Sequence, residues 1–205
     1  MIEAPPPDLT LEAAMEWFIL VLKDRGTEFL LAGRSALDLQ GEFLGSVDVD
    51  LAVAAGDWKD LGYDLEEYVQ RGDLSPAGAV SRSVARYLVD GFVPVDVMNL
   101  SEIHPEIFRL LQAKACVELR LGRAGPVRAV TREGYFVLAV MVGQRGFSRL
   151  KADPMAKVRE AWNLVGVRTD RILVENLLRE LGAREGSFAR ALSSTGPRPA
   201  RRRLK

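Results

Sequence analysis

The sequence predicts an α+β fold, in which a small mixed β-sheet with helices is followed by a helical C-terminal part. Three observations predict this class. Short apolar segments bounded by Gly or Asp alternate with amphipathic segments over residues 1–130. Apolar residues then recur at helical spacing over residues 131–190, ahead of a basic tail over residues 191–205 that we expect to be disordered. The 205 residues are 48% hydrophobic, which is enough for one substantial core or two small ones.

The charge and cysteine content exclude several classes of function. Lys plus Arg and Asp plus Glu each number 28, and five of the cations lie in the last eight residues, so no generally basic nucleic-acid-binding surface is expected. The single cysteine, Cys116, excludes an internal disulfide and a Cys-rich zinc site, and we interpret it as a small core residue. The N-terminal segment lacks a signal-peptide pattern and no apolar stretch reaches roughly 18 residues, which favours a cytoplasmic protein without a membrane partner.

The first elements are an amphipathic helix, a buried strand and a short second helix. Apolar residues recur at helical spacing over residues 11–22, which predicts a helix that ends before Gly26. The segment EFLLA, residues 28–32, predicts a buried strand, followed by a turn at Gly33 and a short helix over RSALDLQ. The apolar segment VDVDLAV, residues 47–53, predicts the next strand.

A hairpin is predicted after a further helix. Asp57 is the expected cap of that helix, which runs to about Gln70. The segments SVARYLV and FVPVDVMNL then flank Asp90 and Gly91, a dipeptide whose tolerance of positive φ makes it a strong hairpin signal. We therefore expect two antiparallel strands on either side of this turn.

The remaining sequence predicts a second strand pair and then helices alone. A short helix is expected up to about residue 113, and the segments CVELRL and PVRAV predict strands around a Gly-containing turn. The apolar spacing that follows predicts three helices, over about residues 132–144, 154–166 and 170–182. Thr169 or Asp170 is the expected cap of the last helix.

Two carboxylates interrupt the apolar strand VDVDLAV. Side chains alternate across a strand, so Asp48 and Asp50 are expected to point to one face. The core face is completed by the apolar residues of the segment, Val47, Val49 and Leu51. Two like charges this close repel each other unless a cation lies between them. A divalent metal supplies such a cation, and Mg²⁺ binds one or two carboxylates together with waters and phosphate oxygens.

A third carboxylate, Asp96, has the same apolar flanking in the segment VPVDVMN. The predicted hairpin would bring its strand beside Asp48 and Asp50, so that the three aspartates form one cluster that binds Mg²⁺ or Mn²⁺. The alternative is that Asp48 and Asp50 line a solvated strand face. The presence of a third Asp inside another apolar strand favours the cluster.

Gly33 lies between a buried strand and a helix, where a glycine lets backbone N–H groups approach a phosphate. Arg34 and Ser35 stand at the start of that helix, and either can donate to a phosphate oxygen. Ser46 is a further candidate donor. The alternative is an ordinary strand-to-helix turn that needs glycine for its dihedral angles.

The order of strand, Gly turn, helix, D-x-D strand and later Asp-bearing strand resembles the DNA polymerase β-like nucleotidyltransferase superfamily, over about residues 28–100. Gly33 matches the second glycine of the superfamily turn, while Ala32 stands where the first glycine is usual. The chain looks most like the minimal bacterial nucleotidyltransferases, including abortive-infection toxin-like proteins. Lys151 and Asp153 partly match a basic-acidic motif that follows the sheet in such proteins.

The resemblance implies a metal-dependent nucleotidyltransferase that moves a nucleoside monophosphate from a nucleoside triphosphate to a hydroxyl of RNA or protein, as in toxin–antitoxin pairs. Asp48 and Asp50 would bridge two metal ions, and Asp96 would hold the ion next to the acceptor and take up the acceptor's proton. The implied nucleotide-binding residues are Gly33, Arg34, Ser35, Ser46 and Lys151. Arg82 and Arg86 are further candidates for positive charge near the triphosphate.

Two other functions stay open from the sequence. A catalytically degenerate nucleotidyltransferase-fold module would serve as a binding partner, and the departures at Ala32 and Lys157 motivate this alternative. The complete set of three aspartates favours catalysis over it. An RNA-binding accessory protein that uses the basic tail is the other alternative, although short basic tails are more often solvated ends.

Overall fold

The computed structural model describes residues 2–42, 44–81, 84–144 and 155–193. The chain forms two compact units, Met1–Tyr135 and Phe136–Lys205. Among the helices of the described residues, none has both the length and the apolar character that a membrane crossing requires.

The first unit is built on a mixed β-sheet. Its described strands are β1 (Phe29–Ala32), β2 (Val49–Val53), β3 (Leu74–Ser81), β4 (Val84–Val89), β5 (Val93–Asn99), β6 (Cys116–Leu121) and β7 (Gly125–Val130). They lie in the order β3-β4-β5-β2-β1-β7-β6. β2 pairs with β5 and β1 with β7 in parallel, whereas the other neighbours are antiparallel. The sheet and its helices confirm the predicted α+β class.

Helices accompany the sheet, and they make up the regular structure of the second unit as far as its residues are described. The described helices are α1 (Leu11–Asp24), α2 (Gly33–Asp38), α3 (Ala55–Gln70), α4 (Ile107–Lys114), α5 (Arg132–Gln144), α6 (Ala156–Val165), α7 (Arg171–Glu180) and α8 (Ser187–Ser193). The three helices that the sequence predicts after the second strand pair correspond to α5, α6 and α7. The chain divides into its two units within α5.

Capping side chains fix the starts of two helices. The hydroxyl oxygen of Thr10 accepts a hydrogen bond from the N–H of Ala13 at 3.1 Å, which caps α1. The carboxylate of Asp170 accepts from the N–H groups of Ile172 and Leu173 at 2.9 and 3.0 Å. Of the two residues considered for this end, Asp170 is therefore the cap of α7.

The structure corrects one expectation near α3 and adds one strand that was not predicted. Helix α3 begins at Ala55, so Asp57 lies in its first turn and does not cap it; the Asp57 carboxylate accepts from the N–H of Glu28 at 2.8 Å. Strand β3 was not predicted, and it contains Pro76 and Gly78, residue types that are uncommon inside strands. An edge position explains how the strand tolerates a proline, since one side of an edge strand has no ladder partner.

Strands β1, β2 and β5 form the buried centre of the sheet. Leu51 on β2 is the register partner of Leu31 on β1 and of Val97 on β5, and all three side chains are fully buried. The expectation that Val47 completes this core face was wrong. β2 begins at Val49, and the side chain of Val47, which precedes the paired segment, is 79% exposed.

The lone cysteine lies at the start of β6 and is half-buried. Burial raises the pKa of the Cys116 thiol to about 12, and the nearby charge of Arg128 only partly offsets this effect. The thiol is therefore protonated at neutral pH, which excludes Cys116 as a thiolate nucleophile.

The second unit has its own aromatic cluster. The rings of Phe136, Trp162 and Phe188 lie with their centroids 5.2 to 5.6 Å apart. Phe188 is fully buried. A Cβ atom at Gly166 would overlap the Trp162 ring, so the glycine allows the backbone to approach the cluster closely. Aromatic pairs of this kind contribute more than their buried area alone.

We predict that Phe188→Ala lowers the free energy of unfolding by about 3 to 5 kcal/mol, because it leaves a cavity between two aromatic rings. Ile172→Ala is the matched control, since the Ile172 side chain is 75% exposed and its truncation should cost within about 0.5 kcal/mol. Urea denaturation measures the free energy of unfolding of each variant. Hydrogen exchange of the backbone amides of α6 and α8 then shows whether the loss of stability lies in these helices. Equal losses in the two variants would contradict the assignment of Phe188 to a core.

Candidate active site

Strands β2 and β5 place two carboxylates side by side. Asp50 on β2 and Asp96 on β5 are direct register partners across a parallel pair, so their side chains leave the same face of the sheet. Asp48 lies just before β2, two residues from Asp50. The structure therefore brings the three predicted aspartates to one region of the sheet.

The turn from β1 into α2 packs directly against Asp50. Gly33 has φ +62°, a left-handed conformation that favours glycine. A Cβ atom at Gly33 would also overlap the Asp50 carboxylate. Glycine is required here both for its dihedral angle and for the close approach of the backbone to this side chain.

Ser35 joins this turn to both strands. Its hydroxyl donates to the carbonyl of Ala32 at 3.2 Å and accepts from the N–H of Asp50 at 3.4 Å, and the side chain is buried. Ala32 itself has φ −126°, an extended conformation that any residue adopts. The alanine at the first glycine position of the motif therefore costs no backbone strain.

The loop before β2 is held by a carboxylate that the sequence analysis did not identify. Asp38, the last residue of α2, accepts hydrogen bonds from the N–H groups of Leu44 and Ser46, the latter at 2.7 Å. The hydroxyl of Ser46 donates to the carbonyl of Asp48 at 2.7 Å. The tendency of Asp to bond nearby backbone N–H groups is a general signal, but it does not indicate which loop residues are bonded.

Arg86 on β4 lies among the aspartates. Its Nε donates to Oδ1 of Asp96 at 2.5 Å and its Nη2 donates to Oδ2 at 2.6 Å, so both oxygens of the buried carboxylate accept from one guanidinium. The same Nη2 lies 3.7 Å from Oδ2 of Asp48. The hydrogen bond to Asp96 is the main cause that raises the pKa of Arg86, and the charges of Asp48 and Asp50 add to it.

The predicted nucleotide-binding residues differ from one another in what they contact and in whether the structure describes them. Gly33 contacts Asp50, the hydroxyl of Ser35 donates to the carbonyl of Ala32 in β1, and that of Ser46 donates to the carbonyl of Asp48 just before β2. Arg34 is half-buried in the first turn of α2. Lys151 lies outside the described residues, and so do Arg82 and Asp153.

The donor set suits one divalent ion better than a pair. Within the described ranges, no group of three or more His, Cys, Asp or Glu side chains is arranged to hold a metal. Both oxygens of Asp96 already accept from Arg86. Asp48 and Asp50 lie two residues apart in the sequence, and a pair of carboxylates of this kind fits an Mg²⁺ ion that completes its shell with waters and phosphate oxygens.

A groove of about 510 Å³ lies between α3 and the hairpin of β3 and β4. Its lining includes Trp58 and Leu65 of α3 together with Ala85 and Tyr87 of β4. Side chains alternate along a strand, so Ala85 and Tyr87 leave the opposite face from Arg86. Arg86 itself also lines the groove, so the groove reaches the residue that bonds the carboxylate of Asp96.

No protein-family model matches the sequence, and no curated protein matches it. Solved structures do match. An antigenic nucleotidyltransferase-like protein from Paracoccidioides brasiliensis is 15% identical, with a TM-score of 0.51 over 90% of this chain and 93% of that one. ANT(2'')-Ia in complex with adenylyl-2''-tobramycin is 14% identical, with a TM-score of 0.56 over 85% of this chain and 98% of that one.

A solution structure of the antibiotic-resistance factor ANT(2'')-Ia agrees, at 14% identity and a TM-score of 0.54 over 82% of this chain and 89% of that one. At such identities the likeness shows the fold. The chain therefore has a nucleotidyltransferase fold. The narrower resemblance to minimal, toxin-like members stays a prediction.

We predict that Gly33→Ala destabilises the protein more than Gly26→Ala. Gly26 has φ +70° with no atom within 4 Å of an added Cβ, so its substitution measures the cost of the left-handed conformation alone, about 1 to 2 kcal/mol. At Gly33 the overlap with Asp50 adds about 1 to 3 kcal/mol.

Urea denaturation measures the free energies of unfolding of Gly33→Ala and Gly26→Ala. The same measurement is made on Asp50→Ala and on the double variant that carries both Gly33→Ala and Asp50→Ala. Asp50→Ala removes the carboxylate but keeps the Cβ atom, which lies 2.6 Å from a Cβ added at Gly33, so it should recover only part of the extra loss. If Gly33→Ala and Gly26→Ala cost the same, the packing of Gly33 against Asp50 is not a constraint on the fold.

Proposed function

We propose that this protein is a metal-dependent nucleotidyltransferase. The observation that carries the proposal is the register that sets Asp50 beside Asp96, with Asp48 two residues away and the Gly33 turn packed against Asp50. The nucleotidyltransferase fold of the solved structures supports the same reaction class.

The proposed reaction forms one bond and breaks one bond at the α-phosphorus of a nucleoside triphosphate. A hydroxyl oxygen of the acceptor attacks the phosphorus, and the bond from this phosphorus to the oxygen bridging to the β-phosphate breaks. Pyrophosphate leaves with the electron pair of that bond, and the hydroxyl proton passes to a carboxylate or to water. The products are pyrophosphate and an acceptor that carries a nucleoside monophosphate.

Asp48 and Asp50 are the proposed ligands of a divalent ion, Mg²⁺ or Mn²⁺. Such an ion supplies positive charge to the phosphate oxygens and so favours attack at phosphorus. Gly33, Arg34 and Ser35 are the proposed contacts to the triphosphate by the motif they match. Ser46 and Lys151 keep this assignment as predictions from the sequence.

The proposed acceptor is a hydroxyl group, on RNA or on a protein as the resemblance implies. The same resemblance implies that such transfer takes place in a toxin–antitoxin pair. ANT(2'')-Ia was solved with adenylyl-2''-tobramycin, which adds a small-molecule hydroxyl as a third acceptor class. A screen with each of four triphosphates labelled at the α-phosphate, against total RNA, total protein and tobramycin, distinguishes the three classes.

We predict that Asp50→Asn lowers nucleotide transfer by about 100-fold or more, because it removes a carboxylate from the proposed metal site. Asp60→Asn is the matched control, since Asp60 is an exposed residue of α3 and the same charge is lost away from the site. The measurement is the rate of label transfer to the acceptor class found in the screen.

The catalytic proposal requires a further control on folding. Both variants are first shown to unfold cooperatively in thermal melts, so that lost transfer reflects the site. Nucleotide binding by the wild type without transfer to any acceptor class would instead favour the catalytically degenerate binding module. Equal transfer by Asp50→Asn and Asp60→Asn would contradict the assignment of the active site to these aspartates.

A further inference from the structure

The guanidinium of Arg86 occupies the place among the aspartates where a cation is required. It bonds both oxygens of Asp96 and reaches to 3.7 Å from Asp48. Asp48, Asp50 and Asp96 carry like charges, which repel each other unless a cation lies among them. The protein therefore supplies one of the cations of the site from its own chain.

The sheet itself fixes this arrangement. Arg86 and Asp96 are register partners in the antiparallel pair of β4 and β5, where directly opposite residues have Cβ atoms about 5 Å apart. A long side chain from β4 can therefore fold back onto the carboxylate beside it. The two parallel hydrogen bonds are of the fork type that binds a carboxylate most specifically.

This fork competes directly with metal binding at Asp96. A divalent ion needs a carboxylate oxygen as a ligand, and both oxygens of Asp96 accept from Arg86. An ion at Asp96 would have to displace a guanidinium from a carboxylate that is nine-tenths buried, and would then lie beside that positive charge. Asp48, whose side chain is 32% exposed, makes no such fork with any of the described residues.

We propose that Arg86 takes the place of a second divalent cation, so that the protein binds a single divalent ion, at Asp48 and Asp50, when nucleotide is bound. The inference rests on the proposed function. Arg86 is a positioning residue that holds Asp96 away from metal, and its guanidinium supplies fixed positive charge beside the reaction site. A guanidinium suits this role because an arginine side chain in a protein is effectively always protonated.

The test counts the Mn²⁺ ions bound to the folded protein in complex with α,β-methylene ATP, a nucleotide that lacks the cleavable oxygen bridge. Native mass spectrometry resolves each added ion by its mass. The proteins compared are the wild type, Arg86→Gln and Arg109→Gln, with Asp50→Asn as the baseline for ions held by the nucleotide or by nonspecific contacts. Arg109 is an exposed residue of α4 and controls for the loss of one positive charge.

We expect one ion above the Asp50→Asn baseline in the wild type and in Arg109→Gln, and two in Arg86→Gln, where Asp96 becomes available. Thermal melts give a second readout. Mn²⁺ should raise the melting temperature of Arg86→Gln by more than it raises that of the wild type, because the variant gains a binding site in the folded state.

Two ions in the wild type would overturn the inference and leave the proposed function intact. One ion in both the wild type and Arg86→Gln would also overturn it, since Arg86 would then not control access to Asp96. A wild type that does not exceed the Asp50→Asn baseline would contradict the proposed metal site itself. If Arg86→Gln does not fold, the ion count of the wild type still decides between one ion and two.

Discussion

The repulsion between carboxylates on neighbouring strands is the constraint on which the site depends. Asp50 and Asp96 are register partners in the middle of a sheet, and Asp48 lies two residues from Asp50. Such a cluster is stable only with a cation among its members. The fork from Arg86 to Asp96 supplies it, and this explains why strands with buried apolar neighbours can carry three acids.

The backbone around Asp50 is fitted to the same cluster. Gly33 clears the carboxylate, and the buried hydroxyl of Ser35 accepts from the N–H of Asp50. Asp38 and Ser46 then fix the loop that carries the chain into β2. These four residues act on the shape of the backbone, and that shape determines where the acids lie. The positions of the acids therefore depend on backbone dihedral angles and on hydrogen bonds to the backbone.

The sequence predicted the sheet class, the hairpin and the candidate acids, because these follow from local patterns of apolar and turn residues. It did not predict the partner of Asp96. A two-residue turn at Asp90 and Gly91 would pair Asp96 with Ala85. The loop also includes Phe92, so Val89 pairs with Val93 and Arg86 comes opposite Asp96. One residue in a loop changes every partner along the pair, and sequence patterns do not resolve such a difference.

The most direct test of a nucleotide-transfer site at these aspartates is a crystal structure with Mn²⁺ and α,β-methylene ATP, in which anomalous scattering locates the metal. The expected result is one strong anomalous peak within coordination distance of Asp48, Asp50 and the phosphates, with Arg86 still bonded to Asp96. Nucleotide bound elsewhere on the protein, or metal bound away from Asp48 and Asp50, would contradict the assignment of the active site.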